Sequence, residues 1–464
     1  MAILLADIDL GRFDADLDEM LLGCFLQTAT YGKAHAGEKV IIIGGKGSGK
    51  SAIKCRLMEE IYDDDSCLVI ELSPDQYSWK AARDFIELGV GGVHAHASAW
   101  RLTLLAASIY ELSKRPGTLP KSTNLRKYYP LMYDAYDPGE MDRRTRAGRT
   151  LRRIINSVRT IYGSLFWPDP APPKNGLEAV NRIQSILASE WPSSGLTLRI
   201  LVDKLDDIWD SDQKVRDCIA GALKATSEVN ADLAGHLMTT VFVRDDIYDV
   251  LSFDDKDHVD DLTERLAWEA EKLEWIVAER IRSSCALGEV PNEEVWDQIF
   301  ASPKIDGKTC VAYMIDRTFL RPRHLLSFFR KSIERAMDEG HSTIENKDIK
   351  HAETTAYSRE RVDGIVVDHR AAFPQIRILL QYFNGSQYRL SKEELRVIID
   401  RFKTDQQRQI PEEFIINLLF TWGVIGVKHG AKYVYSYQDA ALNPCTYDTF
   451  AVHPGLRSHL NVSS

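Results

Sequence analysis

Four short apolar runs mark the chain up to residue 243. Val40–Ile43 is β-branched throughout, and Cys67–Leu72, Leu198–Val202 and Leu237–Val243 follow it. Apolar runs without alternation suit strands buried on both faces of a parallel sheet. The segments between them carry a different rhythm. Over 52–62, Ile53, Leu57 and Ile61 share one helical face. Over 177–191, Leu177, Val180, Ile183, Ile186, Leu187 and Trp191 do the same. Helices are expected over 261–283 and 322–337, with a lead-in helix over 15–30 (Leu17, Met20, Leu21, Phe25). About a hundred residues separate the second strand from the third. They read as mostly helical, broken at Arg115-Pro116-Gly117 and by the prolines of 168–173. Strands alternating with helices predict an α/β fold with a largely parallel sheet in three layers.

The pattern changes beyond residue 371. Phe373, Ile376, Leu379, Leu380 and Phe383 mark one helix. Ser391-Lys392-Glu393-Glu394 is a capping box that opens a second, with Leu395, Ile398, Ile399 and Phe402 inward. Pro411 starts a third, running to Trp422. Gly423–Val427 and Tyr433–Tyr437, joined through 428–432, read as a β-hairpin. Three helices and a hairpin are the layout of a winged helix. Its third helix, Glu412–Phe420, carries two acids and no Lys or Arg. Such a face repels a nucleic-acid backbone, so the domain reads as a lid or packing module. Lys428 and Lys432 in the wing point the other way.

With 464 residues the chain is too long for one core. We divide it into a lead-in (1–36), a core domain (37–290) with a helical insertion at about 98–195, a helical lid (291–362) and the winged helix (363–464). A net charge of −10 argues against general attraction to nucleic acid. The local exception is Arg143, Arg144, Arg146, Arg149, Arg152, Arg153 and Arg159, with no acid among them. That run would bind phosphates, reach a neighbouring subunit's nucleotide, or form a solvated face. Seven cysteines without a C-x-x-C pair suit reduced thiols. No apolar run nears the ~18–20 residues that span a bilayer, and the N-terminus lacks a basic signal region. A cytoplasmic chain without membrane contact is expected. His94 and His96 are a candidate metal pair with no evident third ligand.

The chemistry concentrates at Gly44–Ser51, which fits G-x-x-x-x-G-K-[ST] between a strand and a helix. Glycines at 44, 45, 47 and 49 let the backbone N–H groups converge on phosphate oxygens. The candidate contacts are Gly44, Gly45, Lys46, Gly47, Ser48, Gly49, Lys50, Ser51 and Ala52. Lys50 would reach the β- and γ-phosphates, and Ser51 would ligate Mg²⁺. Asp203 ends the third strand, where a carboxylate can share that metal. Asp206 or Asp207, within the next turn, would orient the attacking water; either also suits a helix cap. Arg244 closes the fourth strand, placed to reach a γ-phosphate or to pair with Asp245 or Asp246. Arg321-Pro322-Arg323 opens a helix and could bring an arginine over the nucleotide.

Asp203-Lys204-Leu205-Asp206-Asp207 resembles the D-G-L-D-E box of the STAND, NACHT and KAP-like P-loop ATPases. The arginine after strand four and the R-P-R helix ahead of a winged helix are similar to bacterial AAA/STAND-type ATPases, many of them encoded in anti-phage defence loci. The resemblance covers most of 15–460. It implies ATP and Mg²⁺ as cofactors, a conformational switch or homo-oligomer, and a separate effector protein. Lys204 replaces the family's glycine and Asp207 its glutamate, which implies slow hydrolysis. The alternative is a DNA-acting ATPase of the origin-recognition or loader type.

Overall fold

The computed structural model describes residues 3–62, 64–74, 82–83, 86–87, 89–128, 176–209 and 212–463. The arginines of 143–159 lie outside the described residues. The chain forms two compact units. One comprises Gln27–Gly44 and Lys50–Leu266; the other comprises Met1–Leu26, Gly45–Gly49 and Ala267–Ser464.

The first of these holds a five-stranded sheet: β1 (Ile41–Ile43), β2 (Cys67–Leu72), β3 (Thr197–Val202), β4 (Leu237–Val243) and β5 (Thr263–Arg265). The order is β2-β3-β4-β1-β5, and every pairing is parallel. β1 is buried throughout, which is why its sequence does not alternate. The helices are α1 (Ala29–Ala36), α2 (Lys50–Tyr62), α3 (Gly92–Ser113), α4 (Gly176–Glu190) and α5 (Gln213–Asp232), then the short α6 (Asp245–Asp249) and α7 (Lys256–Asp261). α3 and α5 pack closely: a Cβ on Gly221 would lie 2.7 Å from the backbone nitrogen of Ala97. Trp100 Nε1 donates to the Cys218 carbonyl at 3.1 Å across the same contact. Leu177, expected on the buried side of α4, is exposed.

The second unit contains α8 (Ala270–Ser284), α9 (Asn292–Ile299), a small hairpin of β6 (Lys304–Ile305) and β7 (Lys308–Thr309), and α10 (Cys310–Ile315). Then follow α11 (Pro322–Asp338), α12 (Asn346–Ala352), a π turn at Glu353–Tyr357 and α13 (Ser358–His369). Phe328, Phe329 and Tyr357 are central to their core. Beyond them lie α14 (Ile376–Gln381), β8 (Arg389–Ser391), α15 (Lys392–Asp405), α16 (Glu412–Thr421), β9 (Ile425–His429), β10 (Lys432–Val434) and β11 (Thr449–Val452). The Ser391 capping box is complete, with hydroxyl and Glu394 carboxylate each accepting the other's backbone N–H. Leu395, Ile398, Ile399 and Phe402 are buried as the period requires. The β9–β10 hairpin forms with Val427 opposite Val434. β8 and β11 extend it to a four-stranded antiparallel sheet in the order β10-β9-β11-β8; they are too short to stand out as periodic segments.

One expected helix is replaced and another starts late, at Ala270. Over 15–30 the chain forms a 3₁₀ turn at Ala15–Leu17 and turns beyond it, and α1 starts only at Ala29. The acids explain this. Asp14 accepts from the Asp16 amide and Asp18 from the Met20 amide, local bonds that compete with a helix. Asp18 is held further by Arg280 at 2.6 Å. Over 261–283 the pattern conceals an edge strand. Leu262 O accepts from Val40 and Ile41, and Leu266 N donates to Ile43 O. Thr263-Glu264-Arg265 is polar because an edge strand is only partly covered.

Candidate nucleotide site

In the sheet unit, strand order decides which groups meet. β4 lies between β1 and β3, so the chain leaving β1 and the acid ending β3 flank the end of β4. Gly44 N donates to Val243 O at 3.2 Å, which ties the end of β1 to β4. Lys50 Nζ donates to Gly44 O at 2.7 Å. Burial pulls the Lys50 ammonium below the ordinary lysine range, while Asp206, Asp245 and Asp203 act in the opposite direction. Ser51 Oγ donates to Asp203 Oδ2 at 3.1 Å, and Asp203 is buried. A hydroxyl and a carboxylate this close are the donor set a hard divalent cation takes.

Asp206 and Asp207 sit on the 3₁₀ turn Leu205–Ile208. Asp206 is half-buried and Asp207 exposed. Lys204, ahead of them, is left-handed at φ 64°. Glycine reaches that conformation without a Cβ penalty, which accounts for glycine at this place in the resembling box. Arg244 is buried and bidentate to Asp246, at 2.9 and 2.6 Å. Its local partner is thus one of the two acids anticipated.

Sequence reasoning passed over Lys54. It is fully buried, 2.7 Å from Glu71 and 3.5 Å from Asp203. The available signal is a lysine one turn beyond Lys50, on the face that carries Leu57 and Ile61. His96 is buried, which lowers its pKa. Among the described residues no group of three or more His, Cys, Asp or Glu could hold a metal, so His94 and His96 gain no third such ligand there.

In the other unit, residues 45–49 are held by α11 and its approach. Gly47 and Gly49 take positive φ, 81° and 102°. Arg321 Nη1 points at Lys46 O (3.5 Å), and Arg323 N donates to Gly47 O (3.4 Å). A Cβ on Gly45 would lie 2.7 Å from the Arg321 guanidinium, and one on Gly47 3.0 Å from Arg323 Cβ. Trp268 Nε1 donates to Ser48 O at 2.6 Å. Ser48 Oγ is buried and has no hydrogen-bond partner among the described residues, as suits a polar ligand at this loop. The two arginines emerge from an unusual bend in which Phe319 and Leu320 are both left-handed, φ 55° and 48°. Such conformations cost ~1–3 kcal/mol per non-glycine residue and persist only where the surroundings enforce them. Phe319 stacks on His453 at 3.8 Å, which fixes the bend.

The parallel sheet, with its glycine loop between β1 and α2 and an acid ending β3, defines a P-loop NTPase α/β fold. Residues 271–366, from α8 to near the end of α13, match the FunZ-associated C-terminal helical domain. The putative transposon gamma-delta 80.3 kDa protein of Escherichia coli (strain K12) is 24% identical over 450 residues. The match covers 92% of this chain and 62% of that protein, so the chain spans under two thirds of that relative's length. Among solved structures, the ORC2 protein of Aeropyrum pernix (ADPNP–ADP complexes) is 11% identical, covering 96% of this chain and 90% of its own, at a TM-score of 0.41. Cdc6p of Pyrobaculum aerophilum is 9% identical over 99% and 97%, at 0.36. Among the described residues no helix is long and apolar enough to cross a membrane.

Proposed function

We propose that the chain binds ATP with Mg²⁺ and hydrolyses it slowly, as a switch rather than a motor. The observation that carries this reading is the Ser51–Asp203 hydrogen bond, with the half-buried Lys50 within the electrostatic reach of Asp206, Asp245 and Asp203. Residues Gly44–Ala52 would bind the phosphates. Ser51 and Asp203 would hold Mg²⁺, which neutralises phosphate charge when bound. Lys50 would exchange its carbonyl partner for phosphate oxygens. Asp206 would orient the attacking water, since it lies close enough to act on Lys50, whereas Asp207 is exposed. Arg244 and Arg323 would contact the γ-phosphate. For Arg244 this requires exchanging part of its bidentate contact with Asp246.

Steady-state ATP turnover of Asp206→Ala and Asp207→Ala separates the two acids. We expect a loss of roughly a hundredfold for the first and under about threefold for the second. Equal losses would return the water-orienting role to either acid, and no turnover in wild-type protein would remove the hydrolysis reading.

The output we favour is control of a separate effector protein within a bacterial anti-phage defence complex, in keeping with the resemblance of the 203–207 box. The chain would act as a homo-oligomer or beside that effector, in the cytoplasm. Protection by this chain with its genetic neighbours deleted would count against it. A second reading, a DNA-acting ATPase with a winged helix, draws support from the transposon named in the Escherichia coli relative. The same turnover assay with duplex DNA distinguishes the two, because only the DNA-acting reading requires stimulation.

A further inference from the structure

Lys54 is fully buried on α2, among the equally buried Ile53, Leu57 and Ile61. A buried charge group is seldom more stable than apolar residues that replace all its members. Stability alone therefore gives no reason for a lysine here. Three elements bring its partners together. α2 packs on β2. β2 pairs with β3 so that Glu71 lies opposite Leu201 and Leu72 opposite Val202. Asp203 follows at the end of β3 and donates its amide to Leu72 O at 3.0 Å. Glu71 and Asp203 are thus carboxylates of neighbouring strands, and Lys54 reaches both. The two contacts differ. Lys54 Nζ donates to Glu71 Oε1 at 2.7 Å, a charge-assisted hydrogen bond. It stands 3.5 Å from Asp203 Oδ2, a looser ion pair. Asp203 Oδ1 accepts from Lys204 N at 2.8 Å, whereas Oδ2 is the oxygen that accepts from Ser51 Oγ. Lys54 and Ser51 therefore address the same carboxylate oxygen. Ser51, Lys54, Glu71 and Asp203 all belong to the sheet unit.

We propose that, given the nucleotide reading above, Lys54 is a positioning residue that sets how strongly the Ser51–Asp203 site takes its divalent cation. It does so by sharing its charge between Asp203 and Glu71. An ammonium and a metal ion drawn to one oxygen repel each other, so Lys54 weakens metal binding. Glu71 limits that effect, because it holds Lys54 by the shorter bond and neutralises its charge. Without metal, Lys54 keeps Asp203 from standing as an uncompensated buried carboxylate. With metal, Glu71 keeps the ammonium compensated in turn. The balance between the two carboxylates thus fixes the cation's affinity, and with it the cation's contribution to holding the nucleotide.

The test is calorimetric titration of the full chain with ADP, once in excess Mg²⁺ and once in EDTA. The ratio of the two dissociation constants measures what the metal adds to nucleotide binding. Wild-type protein should bind ADP more tightly with Mg²⁺. Lys54→Met should enlarge that ratio about tenfold, and Glu71→Gln, which leaves the ammonium to Asp203, should shrink it about threefold. A merely structural role would weaken ADP binding with and without metal alike, and would leave the ratio unchanged. Should Lys54→Met not fold, the near-isosteric Glu71→Gln decides alone: a smaller ratio supports the proposal, and an equal or larger one overturns it. With both variants folded, any other pair of changes, including none, overturns the proposal while leaving the nucleotide reading in place. Wild-type binding of ADP that is indifferent to Mg²⁺ would remove the metal role of Ser51 and Asp203, and that of Lys54 with it. No binding of ADP under either condition would remove the nucleotide reading as well.

Discussion

Lys50 and Lys54 stand one turn apart on α2 and make different contacts. Lys50 turns back to the Gly44 carbonyl, whereas Lys54 is sealed between Glu71 and Asp203. Removing one partner of a buried charge group leaves the others uncompensated. Lys54→Met should therefore lower stability by about 3 kcal/mol, read as a shift in the urea midpoint. A midpoint unchanged within error would mean the group contributes nothing. Lys204 offers the opposite sign. Its left-handed backbone suits glycine, so Lys204→Gly should be neutral or stabilise by up to about 1 kcal/mol. A clear loss in chemical denaturation would mean that the Lys204 side chain outweighs its strain.

At the scale of elements, the apolar runs located β1–β4 closely, because strands buried on both faces cannot hide their composition. The capping box and the period of α15 located that helix equally well. Polar and very short elements escaped detection. β5 is polar, β8 and β11 are very short, and the acids of 14–18 turn a helical apolar pattern into turns. In the candidate site, Gly44–Ser51 and Asp203 were legible from spacing. Lys54 was passed over although it shares the apolar face of α2, and the bend at Phe319–Leu320 was not legible, because left-handed backbone is not written in non-glycine residue types. His453, directly after β11, carries a pH consequence. His453 Nδ1 accepts from the Gly455 amide at 3.1 Å, so the neutral ring donates from Nε2 to Tyr437 Oη at 2.9 Å. Burial and neighbouring arginines hold its pKa well below 6.5. The unfolded chain thus takes up a proton that the folded chain refuses. This contribution is present above pH 6.5 and lost as pH falls towards the depressed folded value. Thermal melting should drop between pH 7.5 and 5, and His453→Asn should flatten that drop. An equal slope in the variant would exclude His453 as its source.

For the whole molecule, the switch reading makes size the quantity to follow. Light scattering with and without ATP·Mg²⁺ should show an ATP-dependent change in mass that Lys50→Ala abolishes, and a constant mass would count heavily against the switch. The bend at Phe319–Leu320 bears on how such a chain could be improved. Relaxing Leu320 to glycine would remove a left-handed penalty of ~1–2 kcal/mol, so a laboratory selection for heat resistance alone would be drawn to that position. The same change would loosen the approach of Arg321 and Arg323 to the loop. Thermal robustness and responsiveness would then diverge at a single codon, and a stabilised variant carrying that exchange would be the one to suspect of having stopped signalling.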